Sequence, residues 1–405
     1  MISSTTASYI LTFIWVTVFL CLRKKLVTTK CYFYILFIMS SAGIILDMDK
    51  MIYFETQTYL LNNILLFALL LLLVVIPWLK YDKYIINVNF AVNEKYINSL
   101  KFIYSILFVL SIVCIIYCLP YAIAANSLGA ETMRQIGCLM PISFMTTFAT
   151  GIATLAPIGI LLFFIGLLSP KLVFHAVLIL ILPIASIIHS MTFAARELYI
   201  FLPLTFIIVY LTFKDSLSIN IRIKIKQISL IIGILMIISF VTITINRFGK
   251  IGTDSFIEGT WGYIYQQPYV FDQTLQFFTN FKAFSSNLSF IGNFLGENTT
   301  NKDLELTTEW CFGTMYQAFY EMYGYISLFI GSITYLLVFN YMAKKSIKSG
   351  RPFMIMVNFI IFLWFTISGL FYFRYGKIDA QFILYMLIIF LSSLYPPFII
   401  CKNKQ

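Results

Sequence analysis

Phe102-Ile-Tyr-Ser-Ile-Leu-Phe-Val-Leu-Ser-Ile-Val-Cys-Ile-Ile-Tyr-Cys-Leu-Pro-Tyr-Ala-Ile-Ala124 carries no charged side chain. It matches the ~20 apolar residues that a helix needs to cross a ~30 Å hydrocarbon core. Working outward from it, similar runs recur along the whole chain. Eleven spans are predicted: 6–22, 31–47, 59–79, 102–124, 141–168, 172–192, 198–213, 227–246, 325–343, 353–373 and 381–401. The 405 residues are 60% hydrophobic and 11% charged, too much apolar surface for a water-soluble core to hide. In lipid only helices and closed barrels satisfy the backbone, and these runs do not alternate as barrel strands do. The expected fold is therefore an all-α polytopic integral membrane protein. Residues 1–405 form a single membrane domain, with one large periplasmic loop, 247–323, before the ninth span.

Charge sets the orientation. With the N-terminus outside, the cytoplasmic connectors are 23–30, 80–101, 169–171, 214–226, 344–352 and 402–405, holding 19 of the 28 Lys+Arg and 3 of the 17 Asp+Glu. The outer side keeps 9 basic and 14 acidic residues, so the balance is +16 inside against −5 outside. The C-terminus then falls in the cytoplasm. This clustering also disposes of a nucleic-acid partner, which the formal charge of +11 would otherwise invite. Asp82, Glu94 and Asp215 are read as connector charges, and segment 80–101 as lying on the inner leaflet surface. Pro157 and Pro183 fall inside spans and predict kinks.

The cysteines have no metal-ligand spacing. Cys114 and Cys118, one turn apart in a span, read as packing residues. Cys138 and Cys311 both fall outside, where a disulfide between them is one reading. The two histidines, His175 and His189, share a span and have no partner at metal spacing. No Walker motif, dinucleotide fingerprint or CxxC is present.

Four places can carry chemistry. Arg196-Glu197 is squeezed between two spans. It is either a snorkelling pair or an anion clamp, because a guanidinium matches phosphate oxygens. His189 lies near the same outer end. The insert 247–323 holds Trp261, Tyr265 and Tyr269, whose flat apolar faces suit sugar rings. A Pro turn at Pro268 is expected to lead into an amphipathic helix with Phe271, Leu275 and Phe278 on one face, resting in the headgroup layer. The insert then enters the ninth span through Thr307-Thr-Glu-Trp-Cys-Phe-Gly-Thr-Met-Tyr-Gln-Ala-Phe-Tyr-Glu-Met-Tyr-Gly-Tyr. Here a helix would align Gly313, Gln317, Glu321 and Gly324 opposite Met315, Phe319 and Met322. Glu321 is a candidate general base or a structural ion-pair partner. Arg374-Tyr-Gly-Lys-Ile-Asp, on the last outer loop, offers two cations to a phosphate or forms a solvated turn.

An Arg between close spans, an outer insert with Tyr-x-x-Pro-x-x-Phe-Asp, and Tyr-x-x-Phe-Tyr-Glu-x-Tyr-Gly-Tyr entering a late span together resemble Wzy-type O-antigen and capsule repeat-unit polymerases. The likeness covers the whole chain in topology and residues 192–200 and 261–335 in motif. Many relatives have Gly-Ser-Arg-Gly where this chain has Ala-Ala-Arg-Glu. The resemblance implies a bacterial inner-membrane glycosyltransferase working on the periplasmic face without metal or other cofactor. Donor and acceptor would both be oligosaccharides on undecaprenyl pyrophosphate, with a chain-length regulator co-polymerase as a partner beside the bilayer. Arg196, with Arg247 and Arg374, would bind pyrophosphate. Glu321 or His189 would be the base, and Trp261, Tyr265, Tyr269 and Tyr323 would face the glycan. Alternatives are an O-antigen ligase-like enzyme, a lipid-linked oligosaccharide flippase, and a metal-dependent glycosyltransferase using Asp47-Met-Asp49. The ligase reading expects a histidine in the outer insert, and residues 247–323 have none.

Overall fold

The computed structural model describes residues 2–45, 58–128, 136, 139–141, 143–193, 197–230, 233–234, 253–277, 314–371, 378–394 and 397–403. Among them, eight helices are long and apolar enough to cross a membrane, or nine if one bent pair is a single span. The protein is thus a multi-pass α-helical membrane protein. Ten of the eleven expected spans coincide with helices; most of the eighth, 227–246, lies outside the described residues. Asp47 and Asp49 lie outside them too, as do Cys138 and Cys311.

The contacts sort the chain into two compact units. The first comprises Met1–Ile86, Thr253–Lys344 and Phe365–Ile383. In it, β1 (Ile2–Ser3) pairs antiparallel with β2 (Thr58–Tyr59), α1 (Ser4–Cys21) folds back onto α2 (Val27–Ile45), and the next apolar run divides into α3 (Leu61–Leu73) and α4 (Val75–Ile86). Tyr9, Phe13, Val16 and Leu20 form an exposed stripe on α1, while Ala7, Leu11 and Trp15 are buried on the other face. The polarity is inverted from a soluble helix: large apolar side chains face out, where lipid is the solvent, and Ser4 and Ser8 are buried.

The break between α3 and α4 follows from Pro77, which has no N–H to offer the carbonyl one turn back. Val74 turns its own N–H to the Leu72 carbonyl. Carbonyls in the last turn of α3 then need donors from elsewhere, because lipid provides none. Two buried tyrosines supply them: Tyr316 donates to the Leu70 carbonyl at 2.6 Å and Tyr32 to that of Leu71 at 3.0 Å.

Asp82 is not a solvated connector charge. It is 1% exposed on α4, and its Oδ2 accepts from the Thr29 N–H at 3.0 Å and the Thr29 hydroxyl at 2.9 Å. A carboxylate there meets the unpaired N–H groups and positive dipole end of α2. Beside it, the Trp78 indole donates to the Thr28 hydroxyl at 2.9 Å.

The second unit comprises Asn87–Gly252, Lys345–Trp364 and Leu384–Gln405. Its long α5 (Ile97–Leu128) packs against α6 (Phe144–Thr154), α8 (Val173–Ile179) and α9 (Ile181–Met191), and α7 (Ala156–Gly166) packs against α8 and α10 (Leu198–Phe213). Helix α11 covers 219–230. The two predicted proline kinks are present. Pro157 opens α7, which bends 46° from α6, and Pro183 follows the break between α8 and α9. Another tyrosine attends the first of these breaks, Tyr385 donating to the Thr154 carbonyl at 2.7 Å.

Segment 80–101 divides among several elements, from the end of α4 to the start of α5. Residues Val88–Val92 form β3, paired antiparallel with β4, Ile399–Asn403, in the register Val88↔Asn403 to Val92↔Ile399. The last predicted span, 381–401, accordingly stops early: its helix ends at Leu394 and the chain continues as β4. Ile399 and Ile400 at the start of β4 suit such a ladder as well as they suit the end of a span, so hydropathy alone runs the two together.

Candidate functional site

The insert contributes two described helices to the first unit: α12 (Thr253–Phe277) and α13 (Met315–Tyr323). Helix α12 runs straight through Pro268, so the expected turn is absent. Proline removes one backbone donor there, and burial of the flanking Tyr265, Tyr269, Val270 and Phe271 holds the helix together. The apolar face expected to meet the headgroups is buried against protein, with Phe271 and Leu275 both enclosed. The helix packs on α2, α3, β2 and α13. Phe271 meets Phe67 at 5.3 Å between ring centroids, and Tyr269 meets Tyr59 edge-on at 5.7 Å.

Tyr265 is 0% exposed. Its ring occupies the space that a side chain at Gly43 of α2 would need, and its hydroxyl donates to the Ser4 carbonyl at 3.3 Å. Neither Tyr265 nor Tyr269 has a free face for a sugar. Their flatness serves helix packing, whereas Tyr323 is 55% exposed. Trp261 lies on α12, and Phe278 falls outside the described residues.

Asp272, fully buried, is the polar centre of this contact. Its Oδ1 accepts from the Leu60 N–H at 3.1 Å and the Asn63 amide at 2.9 Å, and its Oδ2 from the Gln276 amide at 2.6 Å. Leu60 is the N-cap of α3 and has no side-chain cap of its own, so Asp272 caps α3 from across the unit. Burial pushes its carboxyl above the ordinary range, against the three N–H donors that pull it down. From sequence, Asp272 enters only as the end of the Tyr-x-x-Pro-x-x-Phe-Asp pattern, and Asn63 not at all. The signal available was an Asn-Asn pair opening an otherwise unbroken apolar run, which needs a polar partner in lipid.

Helix α13 leads towards α14 (Tyr325–Ser349) but is not continuous with it. Gly324 takes φ 68°, a left-handed stop that glycine adopts without steric cost, and its N–H bonds to the Tyr320 carbonyl at 2.7 Å. Gln317 and Glu321 do share a face, and the Gln317 amide donates to Glu321 Oε1 at 2.8 Å. Glu321 is half-buried. Tyr320 anchors α13 to α12 by donating to the Leu275 carbonyl at 3.4 Å. Phe319 packs where a side chain at Gly331 would stand, which fixes the pitch of α13 against α14. Gly313 lies outside the described residues.

His189 belongs to the second unit, in the last turn of α9. Its Nε2 is 3.1 Å from the Thr150 hydroxyl of α6, and Phe193 lies 5.5 Å from its ring. Thr192 donates to the His189 carbonyl at 2.7 Å, closing the helix end. Arg196, Arg247 and Arg374 lie outside the described residues. Among the described residues no three His, Cys, Asp or Glu side chains stand together as metal ligands. The structure therefore brings Tyr265, Tyr269, Glu321 and Tyr323 into one unit and His189 into the other. Compared with protein-family models, curated proteins and solved structures, the chain matches none.

Proposed function

We propose that the protein is a metal-independent glycosyltransferase that polymerises undecaprenyl-pyrophosphate-linked oligosaccharide repeat units on the periplasmic face of the bacterial inner membrane. In this reading the chain crosses eleven times, with its N-terminus periplasmic and its C-terminus cytoplasmic. One observation carries it. Helix α1 has Ser4 at one end, and Arg23-Lys24-Lys25 follow the other; the insert binds at the Ser4 end, through Tyr265 to Ser4 and through Asp272 to Leu60. With basic clusters assigned to the cytoplasm, the acidic, aromatic insert faces away from it. A lipid-borne pyrophosphate presented at that surface is within reach of its side chains.

The chemistry follows from the residue types. An acceptor hydroxyl attacks the anomeric carbon of the donor, and the bond to pyrophosphate breaks with the electron pair leaving on phosphate. Arg196, supported by Arg247 and Arg374, offers guanidinium charge where negative charge develops. Glu321 or His189 takes the acceptor's proton. The Gln317 amide on Glu321 Oε1 holds that carboxylate in one orientation. Tyr323 offers an exposed ring to the glycan.

The test is chain extension in cells. Arg196→Ala is expected to insert normally yet leave single repeat units on the surface lipid. Glu321→Gln is expected to do the same if Glu321 is the base. Polymer ladders of parental length in Arg196→Ala would remove that arginine from the reaction. Loss of every repeat unit from the surface would point to transport instead.

A further inference from the structure

Helix α11 follows the connector that begins at Lys214 and opens the eighth predicted span, 227–246. From Lys214 to Leu230 the chain has four basic residues, Lys214, Arg222, Lys224 and Lys226, against one acid, Asp215. The three cations on α11 are used differently. Arg222 folds back on the connector: its Nε donates to the Leu217 carbonyl at 2.8 Å and its Nη2 to the Asp215 carbonyl at 3.4 Å. Lys224 and Lys226 are exposed and have no partner among the described residues. Ile225 turns inward and is buried. Away from it, Ile219, Ile223, Lys226 and Leu230 follow one another at steps of 4, 3 and 4, which is one stripe of an α-helix. Its three apolar members are each more than half exposed. Lys226 interrupts the stripe and Lys224, next to Ile223, borders it.

We propose that this face of α11 is a binding site for an anionic phospholipid. Ile219, Ile223 and Leu230 lie against its acyl chains, and Lys224 and Lys226 reach its headgroup phosphate. The face begins where the chain enters an apolar run, so lipid is the solvent on offer there. Lysine stems lie along apolar surface while their ammonium groups extend to the phosphate layer, which places both parts of the side chain in matching surroundings. A phosphatidylcholine headgroup carries its own cation and offsets its phosphate. A headgroup of net negative charge does not, so two unpartnered lysines favour it. With Arg222 committed to the connector, these two lysines carry the preference. The site is independent of the reaction proposed above.

The test uses full-length protein in phosphatidylcholine bilayers that contain a minor fraction of phosphatidylglycerol with a photoreactive acyl chain. Cross-linked peptides are mapped by mass spectrometry. Residues 219–230 should be labelled several-fold more by phosphatidylglycerol than by phosphatidylcholine that bears the same group at the same fraction. Lys224→Gln and Lys226→Gln should each lower that preference by about fivefold. Both side chains are exposed, so these variants keep the fold. Arginine at both positions should retain the preference, because the attraction is to charge. Equal labelling by the two lipids overturns the proposal. So does an unchanged preference in the double glutamine variant. Labelling by neither lipid overturns it as well, since a protein surface would then cover the face.

Discussion

Replacing Gly43 by alanine tests whether the insert docks on the first hairpin. A methyl built on Gly43 would overlap the Tyr265 ring edge and come within 2.5 Å of the Ser8 hydroxyl. Ordinary carbon contacts lie at about 3.5–4.0 Å, so the ring must move by roughly 1 Å or more. Overpacking of this kind costs about 1–3 kcal/mol. Glycine to alanine inside a helix by itself contributes about 1 kcal/mol in the opposite direction, so the single variant understates the clash. The double-mutant cycle removes that ambiguity. Tyr265→Ala is costly alone, at about 3–5 kcal/mol for a buried ring, but it vacates the space beside Gly43. In that background Gly43→Ala should become neutral or stabilising. The coupling is then about 1–3 kcal/mol in favour of the double variant. The assay is reversible unfolding of detergent-solubilised protein, paired with protease cleavage of the insert. Effects that add to within about 0.5 kcal/mol would mean that Tyr265 does not fill the space beside Gly43 in solution.

Asp272→Ala should expose α12 and the start of α3 together. It strands the buried Asn63 amide at about 1–3 kcal/mol and frees two half-buried donors, Leu60 N–H and the Gln276 amide, offset by the burial cost that the carboxylate no longer bears. Hydrogen exchange at Leu60 should rise sharply, and an unchanged rate there would refute the cap. The raised carboxyl gives the pH dependence its sign. The folded state binds the proton more tightly than the unfolded one, so this contribution to stability is fully present at low pH. It is lost as pH rises through the folded value. Docking of α12 should therefore tighten on acidification, and Asp272→Asn should flatten that response. Tyr316→Phe and Tyr385→Phe each strand a carbonyl at a helix break and should each lose about 1–3 kcal/mol in thermal unfolding. Phenylalanine variants as stable as the parent would show that other donors take over.

Hydropathy makes most of the helical fold legible. Ten of the predicted apolar runs fall on helices, and Pro157 and Pro183 mark two of the breaks. Where the reading failed, local pattern had been overridden by tertiary partners. Asp82 looked like a solvated charge because nothing near it in sequence announces that Thr29 will receive it. Tyr265 and Tyr269 looked like a sugar platform because exposed and buried aromatics are written in the same letters; only Gly43 and Tyr59, far away in the chain, decide between them. Pro268 read as a turn because its local preference is strong, and burial on both sides reverses it. In the candidate site, helical spacing puts Gln317 and Glu321 together, while Asp272 meets Leu60 and Asn63 through contacts that no spacing encodes.

The β3–β4 ladder joins Val88–Val92 to a segment made much later in synthesis, Ile399–Asn403. Until α15 (Ile378–Leu394) and then β4 have been made, the edge of β3 has open backbone donors and acceptors. The second unit must therefore finish folding late, after a long wait set by chain order rather than by chemistry. A fusion or truncation that disturbs Ile399–Asn403 should leave earlier crossings in place and still yield a protein that is slow to mature and prone to clearance.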